Sequence, residues 1–452
     1  MQIPQRAPGW TEAIETFLNA GKSYGGDSPS DRADAMSKEV ARGPAPDGKY
    51  RHWHTLRLIS PPEHLTAEEV WAARKIARAT QYRRLPLVDA DGAPFQYALV
   101  DPILERLHNV DRDAAGQIVL PEPTATPGVR DQYITRSLME EAITSSQLEG
   151  AATTRAVAKQ MLRSGRPPRD LSEQMILNNY RAMELVRDRK DESLSQELVE
   201  EIQQVVTRKT GAEARYRTLG DGIGVYDDQN RLLHSPPPVD QIAERMAKLC
   251  QFANETETGV FLHPVLKSII LHFWMAFDHP FVDGNGRTAR ALFYWSMLKE
   301  GFWLAEFLSV SAVLKRGPAR YAESFLYTET DENDMTYFML AQLRAVEQAV
   351  GELKRHLAKR ARELRATEAL LGPNSAFNHR QRSILGHALR HPDAVLDIQS
   401  EKARHGVAYA TARADLLDLA GKGLLSMDQQ GRKYVFRVPA DLSQRVASGE
   451  EE

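Results

Sequence analysis

The 452-residue sequence has a single cysteine, Cys250. One thiol excludes an intramolecular disulfide framework and fits a reducing compartment. Long apolar runs are also missing. The most apolar stretch, from Ser268 to Phe277, contains His272 and stops at Asp278, too short to span a bilayer. The first residues, Met1-Gln-Ile-Pro-Gln-Arg-Ala-Pro-Gly, have no apolar signal core. No sign of charge dominates: 58 Lys and Arg stand against 61 Asp and Glu, a net charge of −3. No global field therefore draws the chain to nucleic acid or to a membrane. A G-x-x-x-x-G-K-[ST] phosphate loop is absent. These absences predict a cytoplasmic protein with no membrane partner. At 42% hydrophobic and 26% charged residues, the composition is that of a globular protein long enough for two or three domains.

What is present concentrates in one run, His279-Pro-Phe-Val-Asp-Gly-Asn-Gly-Arg-Thr-Ala-Arg290. His279 is a candidate general base, because imidazole titrates near neutral pH and can take a proton from a hydroxyl. Asp283 is a hard oxygen ligand suited to Mg²⁺ shared with phosphates. Gly284, Asn285 and Gly286 can turn successive backbone N–H groups toward one point. A helix starting there would add favourable partial charge for an anion. Arg287 and Arg290, three apart, would share a helical face and could clamp phosphate oxygens with planar forks. Phe281, apolar between polar neighbours, is expected to point inward. The plain alternative is a glycine-rich turn before a helix whose arginines pair with surface acids.

This run resembles the signature of the Fic family, H-x-F-x-[DE]-G-N-G-R-x-x-R, and all eight specified positions match. The resemblance implies transfer of AMP from ATP to a Ser, Thr or Tyr hydroxyl of a target protein, with release of pyrophosphate. By that resemblance His279 activates the hydroxyl and Asp283 positions Mg²⁺ on the α and β phosphates. Gly284, Asn285 and Gly286 hold the phosphates, and Arg287 and Arg290 hold the β and γ groups. Class members often dimerise, so a homodimer is implied.

Upstream, Ser145-Ser-Gln-Leu-Glu149-Gly150 follows an apolar-periodic stretch that starts at Tyr133. The stretch reads as a helix with Gly150 as its stop. Taken alone, it is a capped helix with an exposed glutamate. It also resembles the Fic inhibitory motif [ST]-x-x-x-E-[GN], matched by Ser145, Glu149 and Gly150. The resemblance implies that Glu149 engages Arg290 and denies it to the γ-phosphate. A related role, aligning a water to remove AMP from a modified target, stays open.

The organisation expected is mainly α: a Fic-type helical bundle with a β-hairpin flap and a small C-terminal winged-helix domain. Residues 1–45 read as an irregular N-terminal arm with a short helix near Thr11–Ala20. Residues 46–125 resemble the segment that accompanies longer Fic proteins. A helix is expected from Ala67 to Gln81 and an extended piece around Phe95–Val100. Residues 126–370 form the expected catalytic domain, with the inhibitory helix near 131–150. Tyr216 to Pro238 reads as a hairpin around Asp227–Asn230. In the family such a flap pairs with the target's extended segment. Tyr321 is a candidate to stack on adenine, or equally a core residue. A charged helix from Arg344 to Leu371 ends at Gly372-Pro373-Asn374.

Residues 375–440 read as a winged helix-turn-helix with Gly431 in its wing, and 375–438 hold ten Lys or Arg against six Asp or Glu. Tyr409, Thr411 and Arg413 lie on the expected reading helix, so DNA is one candidate partner and protein another. An ATP-sensing DNA-binding regulator is the competing reading, but a mere sensor needs no base at His279 and no ligand at Asp283.

Overall fold

The computed structural model describes residues 3–19, 29–115, 127–212, 214–227, 229–255, 261–371, 377–430 and 433–448. The chain divides into two compact units, Met1–Leu353 and Lys354–Glu452. Among the described residues no helix is long and apolar enough to cross a membrane.

The first unit opens with helices α1 (Trp10–Asn19) and α2 (Pro29–Ala41), followed by the short α3 (Trp53–Leu56) and by α4 (Ala67–Ala79). The short helix expected near Thr11–Ala20 is α1, and the arm expected to be irregular beyond it also carries α2. Tertiary partners explain this: Ala13 and Met36 are buried against the Trp71 cluster, and Glu39 of α2 ion-pairs with Arg74 of α4. Local composition could not announce that pairing. Helix α4 begins with a capping box, in which Thr66 Oγ1 accepts from Glu69 N at 3.2 Å and Glu69 Oε2 accepts from Thr66 N at 2.8 Å. Strands β1 (Tyr82–Val88) and β2 (Pro94–Ala98) then pair antiparallel. Only β2 was legible beforehand, since Arg83, Arg84 and Pro86 disguise β1.

Helices α5 (Asp101–Val110), α6 (Pro127–Leu148), α7 (Arg155–Ser164), α8 (Leu171–Asp188) and α9 (Gln196–Thr207) follow. A minimal hairpin comes next, β3 (Val225–Tyr226) with β4 (Leu232–His234). It is shorter than expected, because Leu219–Asp221 forms a 3₁₀ turn whose Asp221 accepts from Thr218 N at 2.6 Å. Helix α10 (Ile242–Asn254) leads to the central pair, α11 (Pro264–Asp278) and α12 (Asn285–Lys299). Helix α11 is apolar nearly all round and correspondingly buried: Ile269, Ile270, Phe273 and Trp274 are at most 1% exposed. Helix α12 packs against it, with Ser268 and Ser296 hydroxyls 2.9 Å apart in the seam. Gly301, in the left-handed region at φ 84°, follows the end of α12 as expected. Helices α13 (Val310–Lys315), α14 (Pro318–Thr330) and α15 (Thr336–Leu371) complete the unit, α15 running on into the next.

In the second unit, α16 (His379–Arg390), α17 (Ile398–His405) and α18 (Tyr409–Gly421) surround a core of Ile384, Leu385, Leu416, Leu419 and Phe436. Gly406, φ 63°, closes α17. Strands β5 (Val395–Asp397), β6 (Ser426–Gln430) and β7 (Lys433–Arg437) form an antiparallel sheet in the order β5-β7-β6. At three residues β5 is too short to show a period, and sequence reading missed it. Helix α19 (Leu442–Ser448) ends the described chain. Gly372–Asn374 and Gly431 lie outside the described residues.

A buried charge network fastens the N-terminal helices to α14 and α15. Arg78 and Asp331, both fully buried, pair at 3.1 Å, and Lys75 reaches Asp331 at 2.6 Å. Arg78 also donates to Tyr337 Oη at 2.9 Å and lies 3.9 Å from the Tyr50 ring centroid. Burial pushes the Asp331 carboxyl up, but the charges of Lys75 and Arg78 outweigh it and hold it below its ordinary value. Removing one member strands the others in low dielectric. Arg78→Met should therefore lower unfolding stability by about 3–5 kcal/mol, read from the urea midpoint. A loss within experimental error would show that water reaches the network.

Candidate active site

Helix α11 cannot continue through Pro280, and the residue before a proline avoids the α region. His279 instead caps the helix in the left-handed region, φ 44°, ψ 52°. That conformation is costly for a side chain larger than Gly, so something must hold it. Arg217 does so: its Nε donates to His279 O at 2.8 Å, and Nη2 donates to Pro237 O at 2.5 Å and Asp278 O at 3.3 Å. The imidazole Nδ1 lies 3.2 Å from Ala276 O. A carbonyl can only accept, so Nδ1 carries the proton and Nε2 is left with its lone pair. Burial pushes the His279 pKa down to about 4, against the raising effects of that backbone bond and of Glu149; the nearby His234 adds to the lowering.

His234 of β4 directs Nε2 to Phe277 O at 2.7 Å and Nδ1 to Glu329 at 2.8 Å. Both nitrogens face acceptors, an arrangement that favours the cation. Burial opposes the charge, but the Glu329 hydrogen bond prevails and raises its pKa.

The loop after His279 is braced from inside. Phe281 is buried, as expected, and stacks on Tyr216 with centroids 4.8 Å apart. The Asn285 side chain closes on the main chain of Phe281, accepting from its N at 2.9 Å and donating to its O at 2.8 Å. The Asn285 amide is engaged within the loop, which leaves the backbone N–H of this residue to face an anion. Gly284, φ 85°, abuts α9, where an added Cβ would stand 2.9 Å from Val206 Cγ2. Helix α12 starts here, with Thr288 N donating to Gly284 O at 2.8 Å. The N–H groups of Asn285, Gly286 and Arg287 precede that first helical bond and are the ones a helix start leaves over.

The two arginines part company. Arg287 is 1% exposed; it donates to Val206 O at 2.8 Å and to the Asp283 carboxylate at 3.1 and 3.2 Å. It braces the loop and Asp283 rather than reaching out beside Arg290. Arg290, also buried, is taken by the end of α6: Nε donates to Ser145 Oγ at 2.8 Å, and Nη2 to Ser145 O at 3.0 Å and Glu149 Oε1 at 2.8 Å. The turn that delivers Glu149 is a Schellman cap. Ala151 N donates to Ser146 O at 3.0 Å and Gly150 N to Gln147 O at 3.3 Å, with Gly150 at φ 92°. The carboxylate then rests over Gly286, where any Cβ would overlap it and stand 2.9 Å from Glu149 Cδ. Burial pushes the Glu149 pKa up, but Arg290 outweighs it and the net shift is downward.

Two further supports, besides Arg217, were not foreseen. Buried Glu141 on α6 accepts from Tyr294 Oη at 2.8 Å and Ser311 N at 3.0 Å, locking α6 to α12 and α13. Gln203 donates to Asp283 O at 3.1 Å. Neither carries a local motif that could have marked it. Tyr321 sits within 2.8 Å of His272 Nε2 through its hydroxyl and packs edge-on to Phe325, with centroids 5.3 Å apart. It lies beside Arg290 and is only partly buried.

Among the described residues no group of three or more His, Cys, Asp or Glu side chains could hold a metal. Asp283 alone, its side chain 45% exposed, offers one carboxylate. That does not suit a resident ion, but it fits Mg²⁺ arriving with phosphates, which keeps several waters and needs few protein ligands.

Residues 193–297 match the Fic/DOC family. A stretch of 68 residues is 34% identical to protein adenylyltransferase fic-1 of Caenorhabditis briggsae, covering 15% of this chain and 13% of that protein. Another of 69 residues is 35% identical to protein adenylyltransferase Fic of Drosophila melanogaster, covering 15% and 14%. The match spans only a small part of those relatives' own length. A solved Fic family protein from Desulfovibrio desulfuricans G20 superposes with a TM-score of 0.51 at 20% identity, covering 76% of this chain and 98% of that one. The first unit's mainly helical fold is thus the Fic fold.

The His279 environment has a measurable signature. Its ring resonances should stay those of neutral imidazole as pH falls from about 7 to about 5, where an ordinary histidine of pKa ~6.5 would already be protonated. Glu149→Gly removes a charge that favours the cation and should move the midpoint lower still. A midpoint above about 6 would mean that the ring is solvated rather than buried.

Proposed function

We propose that this chain, a Fic/DOC region on a Fic fold, is a self-inhibited protein adenylyltransferase. It transfers AMP from ATP to a Ser, Thr or Tyr hydroxyl of a target protein. The observation that carries the reading is the capture of Arg290 by Ser145 and Glu149 directly above Gly286.

The chemistry follows from the groups in place. The acceptor hydroxyl gives its proton to His279 Nε2 as its oxygen bonds to the α-phosphorus; the bridge to the β-phosphate breaks and pyrophosphate leaves. A base with pKa near 4 is unprotonated at neutral pH, ready for that proton. Mg²⁺, when bound, neutralises phosphate charge, and Asp283 is the residue that would hold it. The N–H groups of Asn285, Gly286 and Arg287 favour an anion at the start of α12. Arg287 holds Asp283 in place for this task. Arg290 is the one guanidinium of the pair that can turn to a terminal phosphate, and it does so only when Glu149 lets go. In the closed state the Glu149 carboxylate occupies the approach to the helix start, so inhibition combines a sequestered cation with a competing anion.

Glu149→Gly should raise incorporation of α-³²P label from Mg-ATP by at least about ten-fold, the equivalent of ~1.4 kcal/mol. Ser145→Ala, which removes one of the acceptors and leaves the carboxylate, should raise it less. His279→Ala in the Glu149→Gly background should abolish it. Label that enters no faster in Glu149→Gly would reject self-inhibition; label that follows the γ-phosphate instead would reject AMP transfer.

For the second unit we propose a winged-helix role with α18 as the reading helix. Tyr409 and Arg413 are exposed on it, and Arg413 lies 5.8 Å from the Tyr434 ring on β7. Full-length protein should retard duplex DNA with an affinity that falls steeply with salt, and Arg413→Ala should weaken it by roughly the one to two kcal/mol of a lost contact. Retardation absent at low salt would leave protein contacts as the unit's task.

A further inference from the structure

A cavity of about 430 Å³ lies in the first unit, between the segment around Lys49, helix α5 and helices α13 to α15. It is not the catalytic loop: none of His279, Asp283, Gly286 or Arg290 lines it. Its size is within the range of small-molecule sites. Its lining is strongly cationic, with Lys49, Arg106, Arg320 and Arg344 among the wall residues.

These charges are poorly balanced. Arg106 is paired with Glu347, and Arg316 at the rim with Glu352. Lys49, Arg320 and Arg344 form no ion pair among the described residues, and Glu323 is the acid that lines the cavity with them. Partial burial, followed by the charges of Arg106 and Arg320, holds the Arg344 pKa below its ordinary value despite the opposing charge of Glu347, so these guanidiniums feel one another. Like charges gathered in a concave wall cost free energy unless an anion joins them.

A second observation points the same way. Gln342 is 2% exposed and lines the cavity, yet its Nε2 has no hydrogen-bond partner among the described residues. A buried amide donor left unmade costs about 1–3 kcal/mol, and such a donor is commonly found where a ligand or water completes it. Guanidinium forks and an amide N–H together match the oxygens of a phosphate better than those of a lone carboxylate.

We propose that this cavity binds a small phosphorylated anion, at a site separate from the catalytic loop. Arg320 and Arg344 hold the phosphate, and Gln342 donates to an acceptor oxygen deeper in. The site stands independently of the adenylyltransferase reading. Its position gives it a route to that chemistry, because Tyr321 lines the cavity on one side and is bonded to His272, beside Arg290, on the other.

Isothermal titration of the full-length protein with inorganic tripolyphosphate at low ionic strength tests this. Three variants are compared with the parent chain: Arg320→Ala/Arg344→Ala, Gln342→Leu and Arg290→Ala. The double variant, altered only at exposed positions, should bind at least ten-fold more weakly with an unchanged melting temperature. Gln342→Leu should lose several-fold, and Arg290→Ala should keep the parent affinity. Binding lost in Arg290→Ala but kept in the double variant would place the anion on the catalytic loop and overturn the proposal. So would an absence of tripolyphosphate binding by the parent chain. Either result leaves the label-transfer assay of Glu149→Gly to stand or fall by itself.

Discussion

A guanidinium that is 3% exposed must find acceptors, and that requirement at Arg290 organises the active region. An isolated buried cation would cost several kcal/mol, and pairing with acceptors offsets much of that cost. Helix α6 ends where it can supply the acceptors: a hydroxyl and a carbonyl from Ser145, and a carboxylate from Glu149 one turn later. The supports around them serve that meeting. Glu141 bolts α6 to α12 and α13, Gly150 reverses the chain so that Glu149 leaves the helix at the right angle, and Gly286 leaves room for the carboxylate. The same guanidinium is what a triphosphate would need. Under the proposed function, inhibition and catalysis would compete for one cation, with the balance resting on an ion pair whose acidic partner is partly exposed.

The His279 imidazole, the proposed base, is held by a different constraint. Pro280 stops α11, His279 is forced into a left-handed turn, and Arg217 fixes the carbonyls on both sides of the bend. The geometry that orients Nε2 also buries the ring, so positioning and the low pKa have one cause. Asn285 and Arg287, which look like ligands in the motif, do most of their work inward on Phe281, Val206 and Asp283. The phosphate cradle of backbone N–H groups in the proposed function would have to be stiff, and these two side chains supply stiffness.

Three sets of buried or clustered cations can be compared. Arg78 is fully enclosed and paired, and it is structural. Arg290 is enclosed but held by a carboxylate that can leave. Arg320 and Arg344 stand at an open cavity without acidic partners among the described residues. Exposure and pairing, rather than residue type, separate a fastener from the proposed switch and the proposed binding surface.

The twelve-residue run from His279 and the Ser145–Gly150 turn were readable in the sequence because each group's chemistry is local: a base, an acid, glycines at a helix start, a glycine at a helix end. Helices α6, α11 and α12 were readable for the same reason, since a 3.6-residue apolar period is a local property. Strand β1, helix α2 of the N-terminal arm and the supports Glu141, Gln203 and Arg217 were not, because each acquires its role from a partner distant in the chain. The residue types alone determined which chemistry the loop can perform. Only the tertiary structure decided which guanidinium is free to move, which is spent on bracing, and where unbalanced charge gathers, because burial and pairing depend on neighbours that no linear spacing records.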